Sequence, residues 1–174
     1  MGPIVAALVA VVATSGCGSG GGSATTTTPK TVTWASSVCS AVTSYRKAVK
    51  NAGTALKSGG APSKSDLRDA ADSVKSATQT FVEHMKSLGP PGTESGQTAK
   101  ETLTDLSSAL TKDLESIQDA TSGSSALVAV SAVSTTLLAA QEQVKSAVDK
   151  LEDVDAKGEL KSAFSQAPSC AALD

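Results

Sequence analysis

The sequence predicts an all-α fold: an up-down-up-down four-helix bundle with a short C-terminal helix, stapled by one disulfide. Three observations predict it. Four segments of about 24 to 28 residues repeat apolar side chains at steps of three and four, the period of one helix face. Short stretches rich in Gly, Pro, Ser and Thr separate them, and connections this short make consecutive helices antiparallel neighbours. Aromatics are confined to two Phe, one Tyr and one Trp, so the core is built from Ala, Val and Leu, which suits close-packed helices better than a β-sandwich.

The first segment runs from about Trp34 to Lys57, with Trp34, Val38, Ala41, Tyr45, Ala48, Ala52 and Leu56 as its stripe. Thr33 is the expected N-cap, because its hydroxyl can accept from an unpaired amide of the first turn. Gly59-Gly60-Ala61-Pro62 ends the element. The second segment begins at Ser63 or Ser65 and ends at Leu88, with Leu67, Ala71, Val74, Thr78, Phe81, Met85 and Leu88 on one side. Asp66 and Asp69 in its first turn and Lys86 in its last complement the helix dipole. Gly89-Pro90-Pro91-Gly92 then stops it.

The third segment, Ser95 to Ala120, carries Ala99, Leu103, Leu106, Leu110, Leu114 and Ile117, with Glu94 and Glu101 near its start. Gly123 sits in the turn that follows, Thr121 to Ser125. The fourth, Ala126 to Asp153, carries Leu127, Val130, Leu137, Ala140, Val144, Val148 and Leu151. Its valine-rich start, Leu127 to Val133, is compatible with a strand, but unbroken three-four stepping over some six turns favours helix. No charge occurs from Ala120 to Gln141; Ser131, Ser134, Thr135 and Thr136 interrupt that stretch, which falls short of the ~20 apolar residues of a membrane span. A buried core helix is expected. A short terminal helix, Glu159 to Gln166, offers Leu160, Ala163 and Phe164 ahead of Pro168-Ser169-Cys170.

The N-terminus has a different character. Ten apolar residues, Ile4 to Ala13, precede Thr14-Ser15-Gly16-Cys17. An apolar run of this length followed by small residues has the form of an export signal. Cys17 after Ser15-Gly16 resembles the first residue of a mature bacterial lipoprotein, whose thiol is acylated. Two features depart from that pattern: Thr14 replaces the usual aliphatic residue, and no Lys or Arg precedes the apolar run. A start upstream of Met1 would supply the missing charge. The expected division is therefore a lipoprotein-type signal over 1–16, cleaved before Cys17, a flexible Gly/Ser/Thr tether over 17–30, and a bundle domain over 31–174. The uncharged run Gly18 to Pro29 would span on the order of 20 Å as a random coil. The expected location is the extracytoplasmic face of the cell membrane, held by the lipid, or the secreted fraction where Cys17 is not lipidated.

Cysteine number agrees with this division. Of three cysteines, lipidation of Cys17 leaves Cys39 and Cys170, which outside the cytoplasm would pair. The topology brings them together, because the first helix starts at the end of the bundle where the fourth finishes. Closing a loop of about 130 residues is rated at roughly 5 kcal/mol by chain entropy, and at about 2–4 kcal/mol by measured cases. The tether, the Gly89–Gly92 turn and the terminal helix share this end, which is expected to face the membrane. The turns at Ser58–Ser65 and Thr121–Ser125 would point outward.

Several short motifs carry a resemblance. Trp34 with Cys39 follows the tether; Leu88-Gly89-Pro90-Pro91-Gly92-Thr93 precedes Gly96-Gln97-Thr98-Ala99-Lys100; and Gly158-Glu159-Leu160-Lys161-Ser162-Ala163-Phe164 leads to Ala167-Pro168-Ser169-Cys170. Together they resemble the uncharacterised small actinobacterial secreted proteins and lipoproteins. The resemblance implies a helical fold and an extracytoplasmic location, and carries over no catalytic residue.

Chemical motifs are sparse. His84 is the one histidine, too few for a histidine-rich metal site, and no nucleophile-elbow glycines flank any serine near it. It reads as a histidine on the boundary of the apolar face. Asp153, Asp155 and Gly158 match positions of a calcium loop, but Lys157 takes a ligand position and Phe164 stands where a bidentate Glu is required, so the run reads as a solvated helix terminus. Gly18 to Gly22 lacks the preceding strand and following Gly-Lys of a phosphate loop. The 15 basic and 17 acidic residues give a net charge of −2, which disfavours a nucleic-acid partner. Lys30, Arg46, Lys47, Lys50, Lys57 and Lys64 span a stretch without any acid, scattered as on a solvated helix rather than gathered for an anionic surface. The expectation is a non-catalytic protein without a cofactor, whose partners are the membrane through its lipid and an unidentified envelope protein or polymer. The alternatives are a carrier of a small apolar ligand between the helices and, least favoured, an envelope hydrolase.

Overall fold

The stepped apolar pattern becomes five α-helices in a computed structural model of the chain, which describes residues 29–57, 62–123 and 125–173. They are α1 (Lys30–Ala55), α2 (Lys64–Ser87), α3 (Gly96–Gly123), α4 (Ala126–Asp153) and α5 (Glu159–Gln166), and a 3-10 turn, Pro168–Ala172, follows. The valine-rich start of α4 is helical, and α4 and α5 have the expected bounds. Among the described residues no helix is long and apolar enough to cross a membrane.

Helix α1 corrects two expectations. It begins at Lys30 behind Pro29, one residue inside the expected tether, so Thr33 lies in its first turn and does not cap it. The Thr33 amide already donates to the Pro29 carbonyl at 3.1 Å, as an interior helical amide does. The extra residues bury Val32. The core stripe is also rotated: Ala35, Cys39, Val42 and Val49 are buried with Trp34, Val38, Tyr45, Ala52 and Leu56, whereas Ala41 and Ala48 are half-buried. The larger valines turn inward, and the alanines are left at the seam with α2. A similar rotation in α4 buries Ala129, Val133 and Ala147, leaving Val130 and Val148 at the margin. Nor is α4 wholly a core helix, since Val128 is 58% and Leu138 65% exposed. The stripes of α2 and α3 are buried throughout, except for half-buried Leu88.

Ser63 caps α2 reciprocally: its hydroxyl accepts from the Asp66 amide while Asp66 accepts from the Ser63 amide at 2.8 Å. Consecutive helices pack along their lengths from α1 to α4, and α2 and α4 approach across the diagonal. The return side differs. α4 touches α1 sparingly, and α5 with the C-terminal turn fills the interval between them.

Two glycines make the chain reversals at this end possible. Gly158 has φ +69°, a left-handed conformation between α4 and α5 that a side chain would strain. At Gly96 a Cβ would lie 2.2 Å from the Pro91 carbonyl oxygen, so only glycine lets the Pro90-Pro91 turn lie against the start of α3.

Candidate functional site

The most elaborated region is the end where α1 starts and α4 finishes. Cys39, fully buried in the third turn of α1, is bonded to half-buried Cys170 across a Cα–Cα distance of 4.9 Å. Around the bond, polar contacts join the C-terminal turn to α1. The hydroxyls of Ser36 and Ser169 are 2.8 Å apart, Ser169 Oγ lies 2.9 Å from the Ser36 carbonyl, and Arg46 Nη1 donates to the Leu173 carbonyl at 3.0 Å. Trp34 meets Phe164 of α5 edge to face, ring centres 6.2 Å apart, and its indole N–H donates to the Gly89 carbonyl at 2.9 Å. One aromatic residue thus ties α1 to both α5 and the Gly89–Gly92 turn.

The acidic run after α4 also serves this end. Asp155, expected in a solvated terminus, is 5% exposed. Its Oδ1 accepts from the Lys157 amide and its Oδ2 from the Leu160 amide, both at 3.1 Å, so it caps α5 from outside the helix. These bonds occupy the oxygens that a calcium-loop reading would assign to a metal. Among the described residues no group of His, Cys, Asp and Glu is arranged to hold a metal ion. Lys157 Nζ meets Glu94 at 2.7 Å, linking the α4–α5 turn to the segment before α3.

Clefts flank α1 on both sides. The one between α1 and α2, about 510 Å³, has Ala41, Ala48, Ala77, Tyr45 and Phe81 in its wall, and Ser37, Ser40, Ser44, Thr80 and His84 along it. It coincides with the rotated stripe, because the small alanines at the seam leave space between the helices unfilled. His84 is exposed, and among the described residues its ring hydrogen-bonds to none of these hydroxyls and no carboxylate lines the cleft. The second cleft, about 400 Å³ between α1 and α4, is walled by Val42, Val144, Val148, Phe164 and the disulfide itself.

Polar side chains also lie within the bundle. The Tyr45 hydroxyl titrates above its ordinary value, chiefly through burial; Thr78 opposes the rise, and the charge of Asp113 adds to it. Burial likewise raises the Asp113 carboxyl, with Gln143 opposing. Among the described residues, Thr78 Oγ1, Asp113 Oδ2 and Gln143 Oε1 lack a partner at full hydrogen-bond geometry. The three-four pattern marks Thr78 as a core position and gives no signal for its polar neighbours on α3 and α4.

Of the three cysteines singled out in the sequence, Cys39 and Cys170 are brought together and Cys17 lies outside the described residues. The signal and the tether up to residue 28 also lie outside them. The Trp34–Gly89 bond, the Asp155 cap and the serine pair were not legible as contacts, although Trp34, the Gly89 turn and Ser169 all belong to the motifs that carry the resemblance. No family model, curated protein or solved structure matches the chain.

Proposed function

We propose that this chain is a non-catalytic lipoprotein on the outer face of the cytoplasmic membrane, a binding module of the cell envelope held there by a lipid on Cys17. The observation that carries this reading is the Cys39–Cys170 pairing, which accounts for two of three cysteines and leaves Cys17, in its Ser15-Gly16-Cys17 setting, as the odd one. Helix α1 begins at the stapled end, so a tether on Cys17 would hold that end toward the lipid and leave the opposite turns and the exposed helix faces free for a partner. Val128 and Leu138 on α4 offer apolar contact on one such face. The test is the intact mass of the protein extracted from its host's membranes, with and without reductant. Diacylglycerol on Cys17 and a gain of two hydrogens on reduction are expected. An unlipidated mass in the culture medium would overturn the anchor.

A second reading, carriage of a small apolar ligand, draws on the α1–α2 cleft. Its volume lies within the usual range for small-molecule sites, and its wall of alanine and aromatic side chains suits an apolar body. A carrier would melt at a higher temperature with ligand bound. Ala77→Phe, which fills the cleft, would abolish that rise; no rise with any of a series of medium-chain amphiphiles would remove the reading.

A further inference from the structure

The C-terminal segment is held in two different ways. Helix α5 is docked by burial: Leu160, Ala163, Phe164 and Ala167 are all nearly inaccessible to solvent. The turn beyond it has no comparable apolar anchor. Cys170 and Leu173 are half-buried and Ala171 is exposed. Among the described residues its polar ties to α1 are the Ser36–Ser169 contacts and the exposed Arg46–Leu173 bond, and half-buried Cys170 and Leu173 pack at the margin of the core. The disulfide is the covalent fastening of a turn otherwise held by these few polar ties and half-buried side chains.

That fastening faces an opening. Both sulfur-bearing residues line the α1–α4 cleft, which Arg46, Lys145, Glu142, Asp149 and Glu152 border. Cys39 is fully buried on the helix side, whereas Cys170 is partly accessible. Of the two residues, Cys170 is thus the more accessible to a nucleophile entering from the cleft.

We propose that the Cys39–Cys170 bond is a releasable clasp, opened by a dithiol reductant that attacks Cys170 and frees the C-terminal turn while the helices stay folded. One thiolate of the reductant bonds to Cys170 Sγ, breaking the Cys39–Cys170 bond, and Cys39 leaves as a thiolate that takes a proton. The reductant's second thiolate then attacks its own bonded sulfur and displaces Cys170, which is protonated in turn. The reductant becomes a cyclic disulfide, and two electrons and two protons pass to the two cysteines. Release of the turn extends the α1–α4 cleft along Cys39 and Val42. This inference does not depend on the lipid anchor.

The test uses the full chain and dithiothreitol without denaturant. Expected are a two-hydrogen mass gain and unchanged helical circular dichroism. Hydrogen exchange should become about tenfold faster or more at the amides of Cys170 and Leu173, which donate to Ala167 and Cys170. The Ser162 amide within α5 should keep its protection, and an apolar dye should gain fluorescence. Cys39→Ser with Cys170→Ser should reproduce this pattern without reductant. A bond that resists reduction until the protein is denatured, loss of helical signal on reduction or in the variant, or unchanged exchange in the turn would each overturn the clasp.

Discussion

The two ends of the bundle are built on different principles. At the stapled end, contacts join segments far apart in the chain: Cys39 to Cys170, Trp34 to Gly89 and Phe164, Lys157 to Glu94. At the opposite end the polar contacts described are local. Ser63 caps its own helix, and the Thr121 and Ser122 hydroxyls fold back on the Gln118 carbonyl. Apolar burial by residues such as Leu56, Leu67, Leu114 and Ile117 holds the helices there. A core of small side chains gives limited burial per residue, and cross-links at one end compensate by restricting the unfolded chain as well as the folded one. The lesson is that cross-links between distant segments gather at the end where α1 starts, while the opposite end relies on local caps and apolar burial.

Substitutions can break this contrast or sharpen it. The largest effect is expected for Trp34→Ala, which removes the shared contact of α1, α5 and the Gly89 turn; a loss of about 3–5 kcal/mol is expected by denaturant titration. A loss below about 1 kcal/mol, the scale of an ordinary substitution, would mean that the stapled end does not depend on it. Gly96→Ala comes next. The new methyl meets a backbone oxygen at 2.2 Å, and neither the Pro90-Pro91 turn nor the helix start can yield freely, so a loss of about 1–3 kcal/mol is expected from the melting curve.

Ser63→Ala probes the opposite end and should cost about 1 kcal/mol, the usual value of a helix cap. Its pH dependence has a definite sign. Hydrogen bonds from the Ser63 side chain and backbone hold the Asp66 carboxyl below its ordinary pKa. Its contribution is therefore present above the unfolded carboxylate pKa of about 3.9 and is lost as pH falls through the lower folded value. The gap between wild type and variant should shrink in acid; a gap that widens would contradict the cap. Smallest is Lys157→Ala. Both partners of the Lys157–Glu94 pair are largely exposed, so despite its 2.7 Å separation the loss should stay below about 0.5 kcal/mol, within reach of a salt-dependent comparison of melting temperatures.

Helix number, order and most boundaries were legible in the sequence because they rest on local signals. Ser63 with Asp66, Gly89-Pro90-Pro91-Gly92 and Gly158 act within a few residues of where they stand. The apolar stepping of α2 and α3 is regular enough to fix their buried faces. In α1 the same reading picked Ala41 and Ala48 over Val42 and Val49, since alanine satisfies the period without showing which way a helix turns. That choice depends on the neighbour, and the cleft along α2 is its consequence. Asp155 was misread for a similar reason: an acidic run looks solvated until the amides of Lys157 and Leu160 are placed over one of its carboxylates. The pairing of Cys39 with Cys170 needed only topology and parity. The tertiary ties of Trp34 needed the packed helices.

The contrast between the two ends is tested most directly by native-state hydrogen exchange along α1, whose first half lies at the stapled end. The amides from Ala35 to Val42 should exchange only through global unfolding. Those from Val49 to Ala55 should open through smaller, local fluctuations of lower free energy. Equal protection along the helix, or greater protection near Ala55, would contradict a fold locked at the end where Cys39 meets Cys170.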